Sequence, residues 1–112
     1  MKCVDYKSVE LESFDVEGAR GAGIRWLIGK ADGAGNFAMR MIEIEPGGCS
    51  PYHSHGEEHE AFILRGRGEM RSKSERYQLA PGTVVFVPCE EEHQFVNLSD
   101  EEKLEFICVI PL

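Results

Sequence analysis

Runs of four to eight residues rich in Val, Ile, Phe and Met recur along the chain, bounded by Gly or Pro. No stretch of ten or more residues repeats apolar positions at i, i+3, i+4 and i+7 between convincing caps, so the sequence predicts little helix. The pattern is typical of an antiparallel barrel or sandwich. The predicted strands are Ile24–Ile28, Phe37–Glu45, Glu60–Leu64, Gly68–Ser72, Arg76–Leu79, Val84–Val87, Gln94–Asn97 and Lys103–Ile110.

Three short segments between these runs have the chemistry of turns. Pro46-Gly47 and Pro81-Gly82 predict turns that end strands, because Pro has the φ that the second turn position needs and Gly takes the positive φ of the third. The segment 99–102, Ser-Asp-Glu-Glu, matches a capping box. A strand is predicted to start directly after it, so we interpret the segment as a loop.

Alternation along two strands separates an outer set of side chains from an inner set. We expect Lys103 and Glu105 on one strand, and Glu43 and Glu45 on the other, to face water. The opposite parity places the following residues in the interior: Leu104, Phe106, Cys108 and Ile110, together with Ala38, Arg40, Ile42 and Ile44. Arg40 is the exception in this apolar set, because a buried guanidinium needs a carboxylate or a ligand as its partner.

Length and charge limit the class of protein. A chain of 112 residues has the size of one domain, so we interpret residues 1–112 as a single domain. The net charge of −8 argues against nucleic acid and against an anionic membrane as partners, because both are negatively charged. No apolar run is long enough for an export signal or a membrane span, so we expect a cytoplasmic protein. The four cysteines are widely spaced and contain no CxxC, which predicts free thiols.

The histidines are the strongest chemical signal. Three of the four, His53, His55 and His59, fall within seven residues, and His93 begins a predicted strand. On a strand, His53 and His55 would point the same way about 7 Å apart, a spacing at which both can reach one ion. Four neutral imidazoles suit Mn, Fe, Co, Ni, Cu or Zn, whereas Ca and Mg prefer oxygen ligands. We therefore predict one divalent transition metal per chain.

The histidines lie in two segments that resemble the two motifs of the cupin family. The first, residues 47–66, reads Gly47-x5-His53-x-His55-x3-His59-x6-Gly66, with His59 at the usual glutamate position. The second, residues 82–97, reads Gly82-x5-Pro88-x-Glu90-x2-His93-x3-Asn97, with Glu90 where the family has Gly. Because that position normally takes a positive φ, we expect the loop before His93 to be shifted while His93 stays in place.

The resemblance implies an all-β fold, a single jelly-roll cupin barrel with a metal held inside it by His53, His55, His59 and His93. The chain is similar to single-domain cupins that bind manganese or a similar ion through four histidines, so Mn or Fe is expected first, with Cu, Ni, Co and Zn also compatible. Glu60 is an alternative fourth ligand, because the first motif also allows four intervening residues. The family usually forms homodimers, and we expect the strand around Trp26 to pair with, or exchange into, the second subunit.

Four nitrogens on an octahedral ion leave two adjacent positions for dioxygen, peroxide or a bidentate substrate. The pocket walls and supporting residues expected from parity and position are Arg40, Ile42, Phe95, Phe106, Cys108 and Ile110. We therefore predict a metal-dependent oxidoreductase, a dioxygenase or peroxide-using oxygenase, acting on a small and largely apolar molecule that Arg40 would orient. Two alternatives stay open: a non-catalytic module that binds or senses a small molecule, and a metal-dependent isomerase or epimerase.

Overall fold

Nine strands and two short 3-10 helices make up the structure, a computed structural model that describes residues 1–112. The strands are β1 (Glu12–Ser13), β2 (Arg20–Ile28), β3 (Phe37–Cys49), β4 (His59–Arg65), β5 (Gly68–Ser72), β6 (Arg76–Leu79), β7 (Val84–Val87), β8 (His93–Asn97) and β9 (Leu104–Pro111). The 3-10 helices are Tyr6–Ser8 and Lys30–Asp32. Neither has the length or the apolar character that crossing a membrane requires.

All nine strands belong to one antiparallel sheet that curls on itself. The strand order is β6-β5-β8-β3-β9-β4-β7, with β2 paired to β3 and β1 paired to β2. The all-β jelly-roll barrel predicted from the sequence is confirmed. The sheet ends at β6 and β7, which lie on the two sides of an open groove.

The long strand β3 joins the two halves of the barrel. Its first part pairs with β9 from Phe37↔Pro111 to Ile44↔Leu104, and Cys49 at its far end pairs with Val96 of β8. The prediction that Pro46-Gly47 ends the strand is wrong, because Gly47 takes a φ of 74° within a bulge and the strand continues in a new direction. The second Pro-Gly pair does form a turn, closed by the Thr83 amide donating to the Ala80 carbonyl at 2.9 Å.

The predicted parity of the inner residues is confirmed. The thirteen residues of the hydrophobic core come from the inward faces of the strands: Ala22, Ile24, Ile42, Ile44, Ala61, Ile63, Met70, Leu79, Val87, Phe95, Leu104, Phe106 and Cys108. Leu104, Phe106 and Cys108 are no more than 2% exposed, and Ile110 packs against this core while partly buried. The predicted inward parity of β9 therefore holds along its whole length.

Two of the carboxylates that we expected to face water are buried on the outer face of the sheet. Glu43 is 4% exposed and Glu105 is 8% exposed. Cationic side chains cover Glu43: Arg25 donates from Nε to Oε2 at 2.6 Å and Lys103 donates from Nζ to Oε1 at 3.2 Å. Arg25 also donates to the Val9 carbonyl, so this buried ion pair ties the N-terminal segment to β3.

The strand around Trp26, expected to pair with a second subunit, pairs along most of its length with β3 of its own chain. The register runs from Arg20↔Cys49 to Ile28↔Met39. Its other edge pairs with the two residues of β1 at Gly23 and Ile24, and the Phe14 amide also donates to the Ala22 carbonyl at 2.9 Å. Pairing of this strand with a second subunit stays a prediction.

Candidate metal centre

The four histidines come from three parts of the fold. His59 begins β4 and His93 begins β8, but His53 and His55 lie in the loop between β3 and β4 rather than on a strand as predicted. Pro51 follows the end of β3 and has no amide hydrogen to donate, so the pairing with β8 is interrupted at this point. A single bridge remains, in which the His53 and His93 amides each donate to the other's carbonyl at 3.1 and 3.0 Å.

The structure brings the four imidazoles together. The ring centroid of His55 lies 5.1 Å from His53, 4.8 Å from His93 and 3.8 Å from His59. One ligand atom each from His53, His55 and His93 lie within 4.8 Å of one another, and the same holds for His55, Glu57 and His59. Two possible ligand sets therefore overlap at His55.

Backbone carbonyls hold three of the rings in one tautomer. Nδ1 of His53 lies 2.9 Å from the Pro51 oxygen, Nδ1 of His55 lies 2.9 Å from the Glu57 oxygen, and Nδ1 of His93 lies 2.9 Å from the Glu91 oxygen. A carbonyl oxygen only accepts, so each Nδ1 carries the hydrogen. Nε2 then carries the lone pair. In this tautomer a histidine can bind a metal through Nε2.

His59 is held by side chains instead. Its Nδ1 lies 3.5 Å from the Cys108 sulfur and 3.4 Å from Nη2 of Arg40. Burial is the largest cause that lowers the pKa of His59 to about 3, and the neighbouring His55 and Arg40 side chains lower it further. Burial also lowers the pKa of His93, against the opposing effect of the Glu91 carbonyl. Both rings are therefore neutral at pH 7 and available as ligands.

The donor set fits a divalent transition metal. The Nε2 atoms of His55 and His59 are buried and have no hydrogen-bond partner. A buried polar nitrogen without a partner costs free energy, and an ion among these rings would satisfy such atoms. Neutral imidazole nitrogens are ligands that first-row transition ions bind well, and the held tautomers aim them without further reorganisation.

Arg40 points into the barrel as predicted, and it forms an ion pair with no carboxylate. Its Nη2 donates to the Cys108 sulfur at 3.0 Å, and its guanidinium carbon lies 5.6 Å from the centroid of the Trp26 ring. Its Nε is buried and has no partner. A hydrogen-bond donor therefore remains free beside the histidines.

The predicted alternative ligand Glu60 is exposed. Glu60 follows His59 on β4, so its side chain takes the opposite face of the strand and lies in an outer groove with Phe62 and Phe86. By contrast, Oε1 of Glu57 lies 3.8 Å from Nε2 of His59. We missed Glu57 in the sequence, although its place between His55 and His59 was a usable signal.

The centre opens into a small inner cavity of about 60 Å³. It is lined by Phe14, Ala22, Ile24, Arg40, Ile42, Ser50, His53, His59, His93, Phe95, Phe106 and Cys108. Phe95 and Phe106 stack with their ring centroids 4.2 Å apart and form an apolar wall of this cavity. Ile110 is absent from the lining, and Phe14 of the N-terminal segment, which the sequence did not indicate, is part of it.

A larger groove of about 560 Å³ lies between the two edge strands β6 and β7. Apolar side chains that include Met70, Leu79, Val85 and Phe86 line it, and Arg76 and Glu91 add charged groups. His93 lines both this groove and the inner cavity. One candidate ligand of the metal therefore borders both spaces.

We expected the loop before His93 to be shifted, but its backbone keeps the positive φ of the motif. Glu90, in the position where the second motif has Gly, itself adopts a φ of 66° and is the only residue other than Gly with a positive φ. Its amide donates to the His55 carbonyl at 2.8 Å. This bond ties the loop of the second motif to the loop of the first and accounts for the retained backbone conformation.

Several known proteins have the same fold as this chain. The chain matches the Cupin domain family over residues 40–110. The structure of the polyketide cyclase RemF from Streptomyces resistomycificus is 32% identical, with a TM-score of 0.92, over 99% of this chain and 79% of that one. The cupin-2 domain Rru_A2000 from Rhodospirillum rubrum is 27% identical, with a TM-score of 0.81, over 98% of this chain and 74% of that one.

A curated relative is less similar. An uncharacterised protein of Streptomyces coelicolor is 26% identical over 66 residues, which cover 59% of this chain and 63% of the relative. The match thus spans less than two thirds of that protein's length.

Proposed function

Because the chain belongs to the cupin family, we propose that it is a metal-dependent enzyme that acts on a small carbonyl or enol compound. His53, His55, His59 and His93 would hold one divalent transition ion. The observation that carries the proposal is the convergence of these rings, with Nδ1 of three of them held by carbonyl oxygens at 2.9 Å. Manganese or iron is our first expectation for the ion, and zinc, copper, nickel and cobalt also suit the donors.

The ion would act as a Lewis acid that polarises oxygen atoms of the substrate. The chain's own residues would do the rest. Arg40 has a free, buried Nε that can donate to a substrate oxygen, which favours a carbonyl, enolate or carboxylate at that point. The apolar wall of Phe95 and Phe106 would exclude water from the reacting atoms. Glu57 lies within reach of His59 and can accept a proton from a carbon next to the carbonyl.

The similarity to RemF supports a reaction class. That protein is a polyketide cyclase, and it is 32% identical to nearly the whole of this chain. Ring closure of a chain of ketones needs an acidified C–H bond, a base and a polarised carbonyl. Those are the roles assigned above to Glu57 and to the metal, so we propose enolisation followed by condensation as the chemistry.

The sizes of the two cavities support a substrate with a small reacting end and a larger apolar body. The inner cavity of about 60 Å³ has room for a few water-sized groups only. The groove of about 560 Å³ lies in the range typical of small-molecule sites. The reacting oxygens would enter the inner cavity, and the body of the substrate would lie towards His93 and the groove.

Exchange of the α-hydrogens of hydroxyacetone with D2O, followed by NMR, tests this proposal. We expect exchange with the Mn-loaded and Zn-loaded protein under argon, and none above background with metal-free protein or with His93→Ala. Glu57→Gln should bind the same amount of metal and slow exchange about 100-fold, since a general base typically contributes 10²–10⁴-fold. The matched control Glu58→Gln should behave as the wild type. Equal exchange with and without metal would refute the proposed function.

The oxygenase predicted from the sequence is the second candidate, favoured by the apolar wall beside a centre with neutral ligands. It predicts substrate-dependent oxygen or peroxide consumption with Mn or Fe and none with Zn. Activity with Zn under argon would exclude it as the main function. Tight retention of an unreacted ligand, without turnover under either condition, would instead support a binding or sensing module.

A further inference from the structure

His59 differs from the other three histidines in what holds its Nδ1. Backbone carbonyls face Nδ1 of His53, His55 and His93, whereas Nδ1 of His59 faces only the Cys108 sulfur at 3.5 Å and Arg40 Nη2 at 3.4 Å. Its Nε2 is buried and without a hydrogen-bond partner. The tautomer of His59 therefore depends on two side chains rather than on the backbone.

The two side chains differ in what they can do at Nδ1. A guanidinium can only donate, so a hydrogen bond from Arg40 to Nδ1 would leave the hydrogen of His59 on Nε2, and that nitrogen could not bind a metal. The Cys108 thiol can accept from Nδ1 or donate its S–H to it, and only the accepting arrangement leaves Nε2 of His59 with its lone pair. Arg40 donates to the same sulfur at 3.0 Å, a shorter contact than its 3.4 Å approach to His59.

We propose that Cys108 is a positioning residue of the metal centre: its sulfur accepts from Nδ1 of His59, draws the Arg40 guanidinium to itself, and so keeps Nε2 of His59 free as the fourth ligand. The inference rests on the proposed four-histidine site. Cys108 is 2% exposed, which keeps water from replacing the sulfur as the acceptor. Without the sulfur, Arg40 would donate to His59 and the site would keep three usable histidines.

The tautomer can be measured without any metal. Long-range ¹H–¹⁵N NMR of the metal-free protein at pH 7.5 distinguishes protonated Nδ1 from protonated Nε2, and His59→Gln assigns the signals. We expect the wild type to carry the hydrogen on Nδ1 of His59. Cys108→Val, which fills the space without offering an acceptor, should move it to Nε2, and Cys108→Ser should restore Nδ1. A wild-type His59 with its hydrogen on Nε2 would overturn the proposal without recourse to any variant.

Metal binding supplies the second measurement. Titration calorimetry with Mn²⁺ should show a 10–100-fold weaker affinity for Cys108→Val, the usual size of effect when the partner of a metal ligand is removed. Cys108→Ser should stay close to the wild type, and so should the control Cys3→Val at an exposed cysteine. The Co²⁺-loaded Cys108→Val variant should show stronger d–d absorption, because losing a ligand lowers the coordination number.

The outcomes separate this inference from the proposed function. A wild-type protein that binds no metal would remove the proposed function, and the positioning role would fall with it. Wild-type binding with unchanged affinity, unchanged Co²⁺ spectrum and unchanged His59 tautomer in Cys108→Val would refute the role of Cys108 alone. A folded Cys108→Val with weaker binding and a shifted tautomer supports both.

Discussion

Glu90 is the residue at which the chain departs from the second cupin motif. Its backbone nevertheless takes the positive φ that the glycine of the motif would take. A residue with a Cβ in the left-handed region costs roughly 1–2 kcal/mol, and Glu90 holds a φ of 66° there. Its amide bond to the His55 carbonyl at 2.8 Å keeps the conformation in place. The strain is located between two loops that carry candidate metal ligands.

Glu90→Gly should therefore stabilise the protein by about 0.5–1 kcal/mol, because Gly takes a positive φ without a steric cost while its greater freedom in the unfolded chain offsets part of the gain. Urea unfolding followed by the fluorescence of Trp26 measures the difference. Glu92→Gly, at a position without a positive φ, is the control and should destabilise. Equal destabilisation by both variants would show that the backbone of Glu90 is not strained.

Glu43 gives a prediction of pH dependence. Burial by itself raises the pKa of Glu43, but the hydrogen bonds from Arg25 and Lys103 outweigh it and hold the pKa below its ordinary value. A carboxyl whose pKa is lower in the folded state stabilises fully above its unfolded pKa, about 4.3, and loses that contribution as the pH falls through the folded pKa.

The variant Glu43→Gln should lose about 1–3 kcal/mol of stability at pH 7, since it leaves Arg25 without its ionic partner. The difference from the wild type should shrink as the pH is lowered below about 4, where the wild-type carboxyl is protonated as well. Urea unfolding at a series of pH values measures both effects, with Glu101→Gln as an exposed control. A difference that is constant from pH 7 to pH 3 would contradict the ion-pair account.

At the scale of the elements, β3 and the loop that follows it position candidate ligands of the metal centre. Asn97 at the end of β8 is 1% exposed and fastens the loop between β8 and β9 to β3: its Nδ2 donates to the Ile44 carbonyl at 2.9 Å and to the Glu102 carbonyl at 2.7 Å. Its Oδ1 accepts from the Ser99 amide at 2.9 Å. One side chain thus joins β3, β8 and the loop that leads into β9.

Asn97→Ala should lower the free energy of unfolding by about 1–3 kcal/mol, because the buried Ile44 carbonyl loses its donor and the bond to the Glu102 carbonyl is lost as well. Amide hydrogen exchange should accelerate in the loop of residues 98–103 more than in β5 or β6. Asn36→Ala, whose side chain makes no hydrogen bond in the structure, serves as the control. Uniform acceleration across the whole barrel would show that Asn97 stabilises the fold globally rather than this loop.

Most of the strands could be predicted because alternation and turn residues determine them locally. Three strands, β5, β6 and β7, begin and end where the sequence predicted. The predicted strands are wrong where tertiary contacts determine the bounds of a strand. β3 continues through Pro46-Gly47 because β2 and β8 continue to pair beside it. The two residues of β1 have no hydrophobic pattern from which a strand could be predicted. The spacing of His53 and His55 fits a strand, and only the structure shows that both lie in a loop.

At the scale of the whole molecule, the barrel brings together side chains that are far apart in sequence. His59 and Cys108 are 49 positions apart, and Arg40 and Cys108 are 68 apart. The histidines could be found from spacing and family motifs, and the inward parity of Arg40 and Cys108 from alternation. Their mutual contacts, the role of Glu57 and the groove between β6 and β7 could not, since each depends on how the curled sheet closes.

The central claim is that the four histidines hold one divalent transition ion, and elemental analysis tests it most directly. Protein purified without chelator, reconstituted with Mn²⁺ and dialysed, should retain one equivalent per chain. Single replacement of His53, His55, His59 or His93 by Gln should reduce the metal content sharply, while Glu60→Gln, at an exposed position on the opposite face of β4 from His59, should retain it. A wild type without metal, or histidine variants that bind as much as the wild type, would contradict the account.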